Sequence, residues 1–182
     1  MSVLDEKNSL IMVIDIQEKL LNAVYNKQEL EKNSNILLQA ASILEIPVIV
    51  TEQYPKGLGS TANSLKTILP NETHYFEKNT FSALDNLDIM DALEKYNKKQ
   101  IVLFGIETHI CVNQTAYSLI EKGYDVNLVT DICGSRSEKE HHAGIERIKS
   151  HGANIITTEM TLFEWLKSSK HQMFKEIQSL IK

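Results

Sequence analysis

The feature that most constrains this chain is its rhythm. Short, nearly continuous apolar runs alternate with longer stretches whose apolar residues recur at helical spacing. Ser9–Asp15, Pro47–Gln53, His74–Lys78, Gln100–Ile106, Asp125–Asp131 and Asn154–Thr158 read as six strands. Between them, Lys27–Leu44 carries Leu30, Ile36, Leu37, Ala40, Ala41 and Leu44, the pattern of one helix face. Asn86–Asn97, His109–Lys122 and Ser137–Ser150 read as further helices, the second stopped by Gly123. Leu162–Lys167 and His171–Ile181 finish the chain as two short helical segments. Strands that are apolar on both sides must be covered on both faces, and the alternation with helices makes them parallel. The expectation is an α/β chain: a three-layer, doubly wound, six-stranded parallel sheet of order 3-2-1-4-5-6, in one domain over residues 1–182.

The chain has 182 residues, enough for one full hydrophobic core. Its formal net charge is −5, and its basic residues are scattered, which argues against a nucleic-acid or anionic-membrane partner. No apolar run is long enough to span a bilayer. The opening residues MSVLDEKNSL lack the basic start and apolar block of a secretion signal, so a cytoplasmic location is expected. In that setting Cys111 and Cys133 read as free thiols, and Cys133, after Asp131, as a packing residue.

In a doubly wound sheet, ligands bind beyond the carboxyl ends of the strands. The residues at those ends are Asp15, then Thr51, Glu52 and Gln53, then Glu77 and Lys78, then the run Gly105–Cys111, then Thr130 and Asp131. A carboxylate, an ammonium and a thiol thus gather at one edge. Cys111 is expected in the first turn of a helix, where the helix N-terminus and Lys78 would favour a thiolate. Asp15 could take the thiol proton, and the backbone N–H groups of Glu107 and Cys111 could receive an oxyanion. Each residue alone has an ordinary alternative. Cys111 could be an inert buried cysteine, Asp15 an N-cap for a helix near Gln17, and Lys78 a solvated lysine.

The runs Val13–Gln17 (VIDIQ), Phe76–Ser82 (FEKNTFS) and Gly105–Val112 (GIETHICV) resemble, in order and spacing, the three motifs of isochorismatase-like cysteine hydrolases. The resemblance covers nearly the whole chain. It implies a catalytic triad of Asp15, Lys78 and Cys111, a cis peptide bond between Ile106 and Glu107, and a homo-oligomer of at least two subunits. Metal-dependent members of the superfamily carry an Asp-x-His pair after the second strand. Here the matching stretch, Thr51–Gly59, holds neither Asp nor His, so no metal or other cofactor is expected. The stretch is similar instead to the metal-free, isochorismatase-domain-containing and YcaC-like branch.

The thiol points to covalent chemistry on a small amide or related C–N compound. Gln17, Gln53, Phe81 and Thr108 are the expected substrate-binding walls, with His109 beside them. Glu140, His141 and His142 are expected on a solvated helix face. Two other classes of function stay open: a thiol redox or sensor protein, against which the lack of C-x-x-C weighs, and a non-catalytic oligomeric binding protein on the same scaffold.

Overall fold

The computed structural model describes residues 3–182. Its strands are β1 (Ser9–Ile14), β2 (Val48–Gln53), β3 (His74–Lys78), β4 (Gln100–Gly105), β5 (Asp125–Val129) and β6 (Asn154–Ile156). They form one sheet of order β3-β2-β1-β4-β5-β6, with every neighbouring pair parallel, as the sequence led us to expect. The helices are α1 (Glu18–Leu21), α2 (Lys27–Ile43), α3 (Pro55–Leu58), α4 (Asn63–Lys66), α5 (Leu87–Tyr96), α6 (Asn113–Glu121), α7 (Glu138–Ser150), α8 (Thr158–Leu166) and α9 (Phe174–Ser179).

Every residue of β1 and β4 is buried, so helices cover both faces of the central sheet. Fully burying one Leu, Ile or Val contributes about 1.5–3 kcal/mol, and β1 alone places Leu10, Ile11, Val13 and Ile14 at zero exposure. A register shift by one residue would exchange the two faces of such a strand, so the core fixes where each strand ends. Ile14 pairs with both Thr51 and Gly105, and Gln53 pairs with Lys78. The carboxyl ends of β1 to β4 therefore lie side by side.

The chain turns sharply at these ends. Asp15 has φ 50°, a left-handed conformation that Asp tolerates better than most residues, and β1 stops there. Gly105 has φ 138°, and a Cβ at that position would lie 2.1 Å from the Ile14 carbonyl oxygen. Only glycine lets β4 run this close to β1 before leaving the sheet. We expect Gly105→Ala to lower unfolding free energy by roughly 3 kcal/mol or more, because the new atom meets backbone that cannot move aside. A urea midpoint unchanged from wild type would contradict this.

Several boundaries differ from expectation. Asn154–Thr158 is a strand only to Ile156. Thr157 then caps α8 by accepting from the Met160 N–H, so that helix starts at Thr158 rather than Leu162. The stretch after Gln53, where the sequence pattern marks no helix, holds two short ones, α3 and α4. The helix expected from His109 opens instead with a π-type turn, Thr108–Val112, before α6.

Candidate active site

Asp15 and Lys78 meet at the strand ends as a fully buried ion pair, with Lys78 Nζ 2.7 Å from Asp15 Oδ2. Thr51, level with Ile14 on β2, donates its hydroxyl to the other carboxylate oxygen at 2.7 Å. The ammonium donates to Gln53 Oε1 at 2.6 Å and to the carbonyls of Thr80 and Phe81 at 3.1 and 3.3 Å. Those three acceptors match its three N–H groups. Its contact with Asp15 Oδ2 at 2.7 Å adds the charge-assisted interaction of the ion pair. Asp15 is thus no helix cap, and Lys78 no solvated lysine.

The Cys111 thiol lies near enough to both members of this pair to interact with their charges. It lies in the π-type turn that follows the cis peptide bond between Ile106 and Glu107. Such turns recur at functional sites because they re-aim a side chain off the helical track. The expectation that the helix N-terminus and Lys78 would favour a thiolate is corrected. Burial, and then the Asp15 charge, push its pKa up to about 12, and Lys78 only partly opposes them. The reason is that Lys78 is already neutralised by Asp15, so the thiol meets a net-neutral pair in a dry site. Cys133 is likewise pushed up to about 12, by complete burial. The two thiols differ in access: Cys111 is 6% exposed and Cys133 not at all. Iodoacetamide at neutral pH is accordingly expected to alkylate Cys111 first. Preferential labelling of Cys133, read by peptide mass, would reverse that assignment.

The expected pocket walls fall into two groups. Gln53 and Phe81 reach the cluster, the first through its amide oxygen and the second through its carbonyl, and the Phe81 ring is half exposed. Gln17 and Thr108 are wholly buried and otherwise engaged. The Gln17 amide donates to the carbonyls of Gln53 and Gly59 and accepts from the Gln53 N–H, so it staples the loop after β2 to the end of β1. The Thr108 hydroxyl donates to the Gly134 carbonyl and lies 2.9 Å from His141 Nδ1. Glu52, the one carboxylate in Thr51–Gly59, accepts from the N–H and hydroxyl of Thr61 and ties the same loop. The Glu107 carboxylate pairs with Arg136 Nε at 3.0 Å, and His109 Nδ1 is 3.1 Å from Ser135 Oγ.

His141 corrects a second expectation. Its neighbours Glu140 and His142 are exposed, but His141 is buried, and burial holds its pKa below the usual histidine value. Sequence reasoning also gave Thr51 no role. Its place at a strand end beside Asp15 was the available sign.

Among the described residues no group of three or more His, Cys, Asp or Glu side chains could hold a metal ion. No helix among them is long and apolar enough to cross a membrane.

A family model described as isochorismatase domain matches residues 9–160. Isochorismatase domain-containing protein 2 from Xenopus laevis is 38% identical over 179 residues, covering 98% of this chain and 85% of its own. A solved structure of MAR1 ribonuclease from Caenorhabditis elegans is 39% identical with a TM-score of 0.94, over 99% of this chain and 92% of that one. YcaC from Pseudomonas aeruginosa, solved with hexane-2,5-diol and covalent acrylamide, is 26% identical with a TM-score of 0.91, over 97% and 90%. YcaC from Escherichia coli, described as an octameric hydrolase of unknown specificity, is 26% identical with a TM-score of 0.90, over 100% and 95%.

Proposed function

The chain belongs to the isochorismatase family, and on that footing we propose that it is a cysteine hydrolase of a small amide or related C–N compound. Cys111 is the nucleophile, Asp15 the base and Lys78 the charge that orients them. The observation that carries this reading is the contact of the Cys111 thiol with a carboxylate that is itself buried against a lysine. The covalent acrylamide of the Pseudomonas aeruginosa relative supports a reactive nucleophile on this scaffold, since acrylamide captures nucleophiles by addition across its C=C bond; it does not bear on the C–N bond.

The chemistry follows from the geometry. As Sγ attacks the carbonyl carbon, its proton passes to Asp15 Oδ2, and the C=O electron pair moves onto oxygen. The thiol is protonated at rest, so proton transfer and S–C bond formation belong to one step. The N–H groups of Glu107 and Cys111 are assigned to receive the oxyanion. Collapse breaks the C–N bond, and Asp15 returns the proton to the departing amine. Water, deprotonated by Asp15, then cleaves the thioester and restores the thiol. Lys78 keeps the carboxylate in place throughout, and Thr51 fixes its rotation.

The ribonuclease described from Caenorhabditis elegans suggests a phosphodiester as substrate. The present site favours the amide. Its one cation is held by a carboxylate and three further oxygens, and the chain carries a net charge of −5. The octameric Escherichia coli relative supports a homo-oligomer here as well.

The deciding experiment incubates purified protein with a panel of small amides and, in parallel, with RNA. Released ammonia or amine and intact-protein mass are read together. Amine release with an adduct at Cys111 is the expected result. RNA cleavage without amine release from any amide would overturn the reading.

A further inference from the structure

We propose that α7 is the positioning helix of the nucleophile turn, with His141 and Gly144 as the two residues that hold Cys111 in place. This rests on the reading of Cys111 as nucleophile. The two residues are three apart on one helix, so they share a face, and both are buried. That face lies directly on the Thr108–Val112 turn.

Gly144 sets the distance of approach. A Cβ there would sit 2.9 Å from both Cα and N of His109 and 3.0 Å from the Thr108 carbonyl carbon. The atoms in the way are backbone of the turn itself, not the free end of a side chain. Any larger residue must push the turn away from α7, or α7 away from the turn.

His141 sets the lateral position. The single Thr108 hydroxyl proton goes to the Gly134 carbonyl at 3.0 Å, so His141 Nδ1, 2.9 Å away, carries a proton and donates to Thr108 Oγ1. The Thr108 N–H also donates to the Gly134 carbonyl, at 2.9 Å. The first residue of the turn is thereby held by its backbone and twice by its hydroxyl. Tyr25 packs against the histidine, with ring centroids 5.7 Å apart. Neither His141 nor Gly144 meets the reacting atoms, so their effect passes through Thr108 and His109 to Cys111. Misplacing a reacting group by about 1 Å can cost on the order of 10²-fold in rate, so small displacements of this turn matter.

The test compares Gly144→Ala, His141→Ala and His141→Asn by two readouts. Asn is included because its Nδ2 can offer a donor near the position of the histidine Nδ1. One readout is the bimolecular rate of Cys111 alkylation by iodoacetamide. The other is kcat and KM for the best amide from the panel above. Gly144→Ala and His141→Ala should each change the alkylation rate and lower kcat by roughly 10-fold or more, with KM within about twofold. His141→Asn should recover most of both. If Gly144→Ala does not fold, the two His141 variants still decide. Folded variants with alkylation rate and kcat unchanged overturn the proposal, as does a loss in His141→Ala that His141→Asn does not reverse. Turnover that survives Cys111→Ala would instead overturn the reading beneath it. The alkylation rate reports the turn's position either way.

Discussion

Cys111→Ala is expected to abolish turnover of the selected amide, by about 10⁴-fold or more, while substrate still binds. The substitution removes the only atom in the cluster that can form the covalent bond. Asp15, Lys78 and Thr51 remain, but without the thiol no acyl-enzyme forms for Asp15 to help make or hydrolyse. The fold should tolerate the change. The residue sits at the rim of the cluster, 6% exposed, and losing one sulfur there should cost about 1 kcal/mol. Thermal melting within a few degrees of wild type, with no turnover and retained binding by calorimetry, is the expected combination. A thiol sensor would also lose its function in this variant, but no amine would have been released by the wild type.

Asp15→Asn is the second large effect. The amide nearly keeps the shape of the carboxylate, and its oxygen can still accept from the Thr51 hydroxyl. It cannot take the thiol proton. Burial, the largest cause of the raised thiol pKa, persists in the variant, although the Asp15 charge that adds to it is gone. A loss of kcat on the order of 10²-fold or more follows, the usual contribution of a positioned acid–base group. Stability should fall as well, because Lys78 is left buried without its counter-charge. Breaking one side of a buried pair costs about 3–5 kcal/mol. The three oxygens still held by Lys78 Nζ place the expected cost toward the lower end of that range. The double variant should be hardly slower than Cys111→Ala alone, because the two residues serve one step. Additive losses would mean that they act separately.

The parts of this structure that were legible in the sequence are those fixed by hydrophobic periodicity. Runs such as Leu10–Ile14 and Ile101–Phe104 can only be buried strands, and once they are parallel the line-up of Asp15, Lys78 and the turn bearing Cys111 follows from topology. Polar side chains at the same edge were not legible, because their function depends on which backbone groups remain unpaired. Gln17 read as a pocket wall, but it closes three backbone hydrogen bonds of a loop whose path no local pattern specifies. Thr108 was misplaced for the same reason. His141 stands between two exposed residues on α7, and only the close approach permitted by Gly144 buries it against the turn. The pull of Lys78 toward a Cys111 thiolate was overweighed, because a sequence does not show how closely Asp15 neutralises that lysine.

The central claim is that the substrate's acyl group passes through Cys111. It is tested most directly by acid-quenching the enzyme during turnover and mapping the modified peptide. The account predicts an acyl group, with the amine already lost, on the peptide that contains Cys111, and no turnover by enzyme whose Cys111 has first been carboxamidomethylated. An acyl group mapped to another residue, or full turnover by the blocked enzyme, would contradict it.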